Sequence, residues 1–501
     1  MPSTPQHTPA RVFLVGAGPG DPGLLTVRGA SLLGRADLVL YDYLVNPQVL
    51  SHASPRSELV CLGRHGGGRI MSQQEVNERM ITAARAGRSV VRLKAGDPLV
   101  FARATEECSA LAAAGVPFEI VPGVTTALAA GAYAGVPVTG RQLSSAVALV
   151  TGHEETGKES AVDYAALARF PGTLVFYMGV TTVDHWSAGL MAGGLDAATP
   201  VAVIRRCTWP DQTTLRTTLG TVAREFHQRK LRPPVITIVG DVAGTEPLSD
   251  WFTARPLFGE RAIVTRPRAQ ADDLCARLSE LGADVLVQPA IEIRPLTNWG
   301  TVDAALARLS EFDWLVFSSA NGVRYLLDRL LERDDARRLA GVKLAAIGPA
   351  TAEELARYRL RAELVPGEYR AEGLAAALAE KVAGRRVLLA RASRGRELLA
   401  EELRQAGATV EQVVVYESRD VTTADPAVAA ALGTGSRPWV TVTSSAIARS
   451  LAALFGQNLH RARLASISPV TSQTLRELGY QVAAEAAVYT TSGLVDAILA
   501  G

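Results

Sequence analysis

The chain has 501 residues, 48% of them hydrophobic, and a formal net charge of +2. That length suits roughly three to four domains of ~100–200 residues each, and the near balance of charge offers no global field to a nucleic acid. The four cysteines (Cys61, Cys108, Cys207, Cys275) form no CxxC pair and the seven histidines no HExxH, so neither a disulfide framework nor a metal site is expected. No apolar run reaches the ~18 residues of a membrane helix. The Pro/Ser/Thr-rich residues 1–10, read as a disordered tail, lack the apolar core of a signal peptide, so a soluble cytoplasmic protein is expected.

The first element is VFLVGAGPGDPGLLT (12–26), an apolar run feeding a glycine-rich turn and then a helix. Gly16 and Gly18 fit a dinucleotide loop, but Asp21 stands where the third glycine belongs. A carboxylate at a helix start competes with a pyrophosphate for the same backbone N–H groups. Strand-like runs follow at 37–41, 89–93, 146–151, 173–177, 200–204 and 235–239. Others lie at 262–265, 314–317, 343–347, 386–390, 411–416, 439–443 and 464–467. Alternating with Ala/Leu/Arg-rich stretches of helical period, they predict an α/β protein with mainly parallel sheets. Three more glycine turns come after strands: VVRLKAGDPLVFAR (90–103), VPGVTTA (121–127) and FYMGV (176–180). Four such turns predict a ligand site along one sheet edge. GHEETGKE (152–159) is nearly a phosphate loop, but Glu159 offers no hydroxyl and Glu154 and Glu155 repel phosphate, so it reads as a surface loop.

The pattern falters over 241–260, where the main boundary is placed. Beyond it lies a duplication. Residues 261–287 match 385–413, VFSSANGV (316–323) matches VTSSAIAR (442–449), and AAIGPATAEEL (345–355) matches ASISPVTSQTL (465–475). Two copies of one α/β unit imply two lobes with a ligand cleft between them. Ser318, Ser319, Thr351, Ser444 and Thr471 fall where strands give way to helices, the place for N-caps and for anion binding. Repeated in both units, they point to a polyanionic ligand.

GAGPGDPGLLT, the aspartate of LVLYD (38–42), RLKAGDP, VPGVTTALAAGAYAGVP (121–137) and GTLVFYMGV (172–180), in that order, resemble the uroporphyrinogen-III C-methyltransferases of the tetrapyrrole methylase family over about 11–243. The resemblance implies two α/β subdomains, about 11–130 and 135–243, with S-adenosylmethionine between them. That cofactor has no pyrophosphate and carries a cationic sulfonium, so Asp21 no longer conflicts with it. Carried over by position, the cofactor contacts are Pro19, Ala95, Gly96, Asp97, Val100, Thr125, Thr126, Met178 and Cys207. Asp42 matches a proton acceptor. Arg64 falls where the family has a proton-donating lysine; a guanidinium keeps its proton, so a carboxylate clamp suits it better. Arg103, Glu106 and Arg141 match positions that meet the tetrapyrrole, and Arg64, Arg69, Arg103 and Arg141 are candidates to bind its carboxylates bidentately. The chain departs from the family pattern at Ala95, at Ala102–Glu107, at Gly140 and at Cys207.

TRPRAQADDL, FSSANGV, AAIGPATAEEL, VVVYES and TVTSSA resemble uroporphyrinogen-III synthase over about 259–501, with Ser468 where the second copy usually has glycine. This implies lobe 1 over about 259–294 plus 420–501 and lobe 2 over about 297–417, after a linker at 244–258. It also implies closure of hydroxymethylbilane with inversion of the last pyrrole ring, and no cofactor. Tyr416 matches a tyrosine that assists hydroxyl departure. Arg266, Ser318, Ser319, Thr351, Ser444 and Thr471 are the substrate-binding candidates. Together the two resemblances imply a bifunctional enzyme that makes uroporphyrinogen III and methylates it twice to precorrin-2, on a route to sirohaem or cobalamin. Two other readings are a methyltransferase for a later corrin precursor and a tetrapyrrole-binding protein with one decayed half. The expected partners are tetrapyrroles, with no nucleic acid, membrane or metal, and the resemblance points to a homodimer through the first half.

Overall fold

The computed structural model describes residues 11–63, 70–153 and 162–501 apart from 396, 434 and 436. The tail at 1–10, Arg64, Arg69 and most of the GHEETGKE loop lie outside the described residues. The chain divides into two compact units: residues up to Glu260 with Ser279–Asp284, and Arg261–Leu278 with Val285–Gly501.

In the first unit, β1 (Val12–Gly16), β2 (Leu38–Tyr41), β3 (Glu58–Cys61), β4 (Val90–Lys94) and β5 (Phe118–Val121) form a parallel sheet in the order 3-2-4-1-5. Its central strands are covered on both faces, so Val12, Leu14, Val15, Val90 and Val91 are buried as near-continuous apolar runs. Helix Gln73–Arg85 starts at a capping box between Ser72 and Glu75 and packs Val76, Met80, Ala83 and Ala84 into one of these layers.

β6 (Val147–Thr151), β7 (Thr173–Tyr177), β8 (Pro200–Arg205), β9 (Thr213–Thr218) and β10 (Val235–Val239) form the second sheet, in the order 6-7-10-8-9. Only β6 and β7 pair in parallel; the β7–β10, β10–β8 and β8–β9 pairings are antiparallel. The expectation of mainly parallel sheets fails here for a local reason. Residues 206–212 are too few to carry a crossover helix, so β8 turns straight back into β9. The aperiodic stretch 241–260 is folded onto this unit: Leu248 N–H donates to Gly135 O at 3.1 Å, Trp251 Nε1–H to Ala132 O at 3.0 Å, and Phe252 is buried.

The second unit holds β11 (Arg261–Val264), β12 (Asp284–Val287), β13 (Ile291–Arg294), β14 (Trp314–Phe317), β15 (Lys343–Ala346), β16 (Arg386–Ala392), β17 (Thr409–Asp420), β18 (Trp439–Val442), β19 (Arg463–Ser466) and β20 (Val482–Glu485). They form two five-stranded sheets, 12-11-18-19-20 and 13-17-16-14-15. The duplication is visible in the topology, because 12-11-18-19 repeats as 17-16-14-15. The place of β20, which pairs Ala484 with Ala465, is taken in the other sheet by a single parallel bridge between Leu364 and Ala345. The chain passes from one sheet to the other through β13 and the long β17, which pair antiparallel from Ile291–Asp420 to Arg294–Glu417.

Candidate active sites

Three glycine turns of the first unit meet backbone to backbone. Gly16 ends β1, Gly96 follows β4 and Gly123 follows β5. A Cβ on Gly16 would lie 2.5 Å from Gly123 Cα, and one on Gly123 would lie 2.3 Å from Gly96 O. Gly96 also sits at φ +70°, where a side chain is strained. Gly96 N–H donates to Gly18 O at 2.8 Å and Gly18 N–H to Gly96 O at 3.2 Å. Asp97 fixes the third turn, its Oδ2 accepting the Gly123 N–H at 3.0 Å.

These turns floor a cavity of about 510 Å³. Pro19, Ala95, Gly96, Asp97, Val100, Thr125, Thr126, Met178 and Cys207 all line it, and so does Asp42. The lining adds Tyr177, which lies inside the FYMGV motif but was not a named candidate, and Arg206, Trp209 and Pro233–Ile236, which lie outside the motifs. Tyr177 OH pairs with Thr125 Oγ1 at 2.7 Å and accepts the Ala127 N–H at 2.9 Å, tying β7 to the start of helix Thr126–Tyr133. Met178 holds a left-handed backbone at φ +53°. Burial pushes the Cys207 thiol up to about 12, so it contributes neutral packing and no thiolate. Asp21 faces away from any anion role: its carboxylate accepts the Gly23 N–H at 2.8 Å and the Tyr133 hydroxyl at 2.8 Å.

Behind Asp42 lies a buried charge cluster. Arg92 and Lys94 alternate on one face of β4, with Glu107 from helix Ala104–Ala113 against them. Glu107 is 0% exposed, Lys94 1% and Arg92 5%. Arg92 Nε donates to Glu107 Oε1 at 2.9 Å and Lys94 Nζ to Glu107 Oε2 at 2.8 Å. Arg92 Nη2 reaches Asp42 Oδ1 at 2.6 Å, and the Ala95 N–H points to Asp42 Oδ2 at 3.4 Å. Burial, and then the charge of Arg92, lower the proton affinity of Lys94. Sequence reading missed this cluster. Its one signal was a pair of cations at i and i+2 inside an otherwise apolar strand.

Arg103 and Glu106 pair with each other at 2.7 Å and are exposed, as is Arg141; none of the three lines the cavity. Arg64 lies outside the described residues.

In the second unit a cavity of about 600 Å³ is lined from the 12-11-18-19-20 sheet side by Pro267, Arg268, Gln270 and Gln288, and from the other by Asn321, Arg324 and Tyr325. The β13 and β17 region closes it through Ile291–Ile293, Val421 and Thr423–Pro426. None of Arg266, Ser318, Ser319, Thr351, Ser444, Thr471 or Tyr416 is among its lining residues. The hydroxyls have local work instead. Ser319 caps helix Ala320–Leu331 through the Gly322 N–H at 3.0 Å, and Ser444 caps helix Ser445–Phe455 through the Ile447 N–H at 3.2 Å. Ser318 Oγ donates to Ala390 O at 3.2 Å. Thr351 and Thr471 do not begin their helices, as the sequence suggested. Each is the third helical residue and is buried, and the caps are Gly348 and Ser468. Arg266 is held partly buried, with Asp273 opposing the effect of burial on its charge. Tyr416 is buried in an apolar cluster, meets Ser319 Oγ at 3.1 Å, and stacks on Tyr325 at 5.6 Å, one layer behind the cavity wall. Burial raises its phenol above the ordinary range, so it stays a hydrogen-bond donor.

Among the described residues no His, Cys, Asp or Glu cluster is arranged to hold a metal ion, and no helix is long and apolar enough to cross a membrane.

Residues 11–223 match the family of tetrapyrrole (corrin/porphyrin) methylases, and residues 272–496 match uroporphyrinogen-III synthase HemD. The chain is 33% identical over 436 residues to a porphyrin biosynthesis protein HemD of Ruminiclostridium josui, an alignment covering 87% of this chain and 86% of the relative. It is 36% identical over 346 residues to a uroporphyrinogen-III C-methyltransferase of Bacillus subtilis, covering 69% of this chain and 71% of that one. An S-adenosyl-L-methionine-dependent uroporphyrinogen III methyltransferase of Methanosarcina barkeri is 44% identical over 233 residues, 46% of this chain and 91% of its own length. With both family matches on one polypeptide and a relative aligned along most of it, the chain belongs to the porphyrin-biosynthesis proteins in which a tetrapyrrole methylase is joined to a uroporphyrinogen-III synthase.

Proposed function

We propose that this chain performs two consecutive steps. Its second half closes hydroxymethylbilane to uroporphyrinogen III, and its first half methylates that product twice with S-adenosylmethionine to give precorrin-2. The observation that carries the reading is the convergence of Asp42 and the nine cofactor positions, drawn from separate motifs, on one cavity.

The cavity suits the cofactor. It is of ligand size, the close-packed glycine turns line it through Pro19, Gly96 and Thr125, and the carboxylates of Asp42 and Asp97 favour a cation. Pro19, Ala95–Asp97, Thr125, Thr126 and Met178 would hold it. When bound, S-adenosylmethionine supplies an electrophilic methyl group on a sulfonium. Asp42 would then take up the proton that the methylated macrocycle loses, from a pyrrole N–H or a bridging carbon, as conjugation returns. Arg92 keeps the Asp42 carboxylate in one orientation for that transfer.

In the second half, loss of the bilane hydroxyl leaves a resonance-stabilised cation, so positioning dominates the task. Tyr416, its phenol kept protonated by burial, assists the departing hydroxyl from behind Tyr325, a role that rests on the resemblance and requires the wall residue Tyr325 to shift aside. The cleft between the two sheets folds the chain for closure at the inverted ring. The protein acts in the cytoplasm, as a homodimer through the first half.

The test feeds hydroxymethylbilane to the purified chain. Without S-adenosylmethionine the expected product is uroporphyrinogen III, and with it a dimethylated product. Only the isomer I porphyrinogen, formed by spontaneous closure, would refute the synthase step. Unmethylated uroporphyrinogen III in the presence of the cofactor would refute the methyl transfer.

A further inference from the structure

We propose that Glu107 is a positioning residue for methyl transfer, acting through Arg92 to fix the Asp42 carboxylate at the cavity wall. The inference rests on the assignment of Asp42 as the proton acceptor.

Two cations and a carboxylate occupy the core of a parallel sheet, where each ion costs several kcal/mol to desolvate. Apolar residues at 92, 94 and 107 would fill the same space without that cost, so fold stability alone does not account for them. The geometry gives them a direction. Glu107 is the node: it accepts Arg92 Nε, Lys94 Nζ and, at 3.3 Å, Gln73 Nε2. With Nε fixed, the planar guanidinium has only one way to present Nη2, and that atom meets Asp42 Oδ1 at 2.6 Å. Asp42 is the one member of the cluster that lines the cavity. Lys94 neutralises the second Glu107 oxygen, so that the carboxylate is not drawn wholly onto Arg92.

The test is a double-mutant cycle on the full chain with Glu107→Gln, Asp42→Asn and the pair. Methyl transfer to uroporphyrinogen III is followed, together with S-adenosylhomocysteine affinity by calorimetry. E107Q is expected to lower kcat at least tenfold, with KM for S-adenosylmethionine and S-adenosylhomocysteine affinity changed by less than about threefold. The double variant is expected to be no slower than D42N alone, because Glu107 has nothing left to position. Multiplied losses would overturn the inference, as would E107Q at the wild-type rate while D42N is slow. D42N at the wild-type rate would instead sink the Asp42 assignment, and this inference with it. If E107Q fails to bind S-adenosylhomocysteine, Arg92→Lys, which keeps the charge but not the fork, takes its place in the same cycle with the same expected epistasis.

Discussion

Replacing Gly123 by alanine tests the floor of the first cavity. The new Cβ would lie 2.3 Å from Gly96 O and 2.7 Å from Gly16 Cα, and both neighbours are backbone. Ordinary contact begins at 3.4 Å, so the Gly96 turn must recede by about 1 Å (3.4 less 2.3). Overpacking of this kind costs about 1–3 kcal/mol. The displacement also strains, without breaking, the Gly123–Asp97 and Gly18–Gly96 hydrogen bonds, which together forfeit about 1 kcal/mol. A total of about 2–4 kcal/mol falls on turns that carry Gly96 and Asp97 into the cavity. Converted at about 1.4 kcal/mol per tenfold, it weakens S-adenosylhomocysteine binding roughly 30- to 700-fold. Calorimetric titration of the full chain measures this, with isomer III formation by the second half as the control for intact protein. Binding within threefold of wild type, at unchanged thermal stability, would refute the packing argument.

Other outcomes follow from the same structure. Trp186 is buried, stacks on Phe176 at 4.6 Å and donates to Gly179 O at 2.9 Å, so Trp186→Ala should cost about 3–5 kcal/mol in urea unfolding of the first unit. A loss under 1 kcal/mol would contradict the packing. Cys207 rises from an ordinary 9.0 to about 12 on burial. The unfolded chain therefore sheds that proton first, and stability falls as pH rises through that window, by up to about 1.4 kcal/mol per pH unit. The variant Cys207→Ala should lose less stability than wild type between pH 8 and 10.5, and equal losses would refute the shift. Tyr416→Phe removes only the hydroxyl that meets Ser319, so isomer III formation should slow at least tenfold while unfolding free energy changes by less than about 1.5 kcal/mol. Unchanged turnover would remove Tyr416 from the reaction.

What could be read from the sequence was what repeats or alternates locally. The β-branched runs before Gly16, Gly96 and Gly179 announce strands that end in tight turns, and those turns do converge on one cavity. The duplication was legible because 261–287 and 385–413 share both spacing and turn glycines, and the repeated strand order follows from it. Strand direction was harder. Nothing in the threonine-rich 213–218 says that β9 runs back along β8; the shortness of 206–212 was the available clue.

Contacts between distant residues were not legible. The contact of Asp21 with Tyr133, far along the chain, could not be read from either motif. Glu107 reads as the second acid of an ordinary helix start, and RLK as a strand with polar alternation; their union is a tertiary fact. Small differences of position also mattered. A threonine near a helix start reads as a cap, yet the cap is the residue three places earlier, Gly348 or Ser468, and Thr351 and Thr471 turn inward.

The claim on which most depends is that the cavity bearing Asp42 is where methyl transfer occurs. A crystal structure of the full chain with S-adenosylhomocysteine tests it most directly. The expected result is the nucleoside against Pro19, Gly96, Thr125 and Met178, with its sulfur directed to the Asp42 side of the cavity. Nucleoside bound elsewhere, with that cavity vacant, would contradict it.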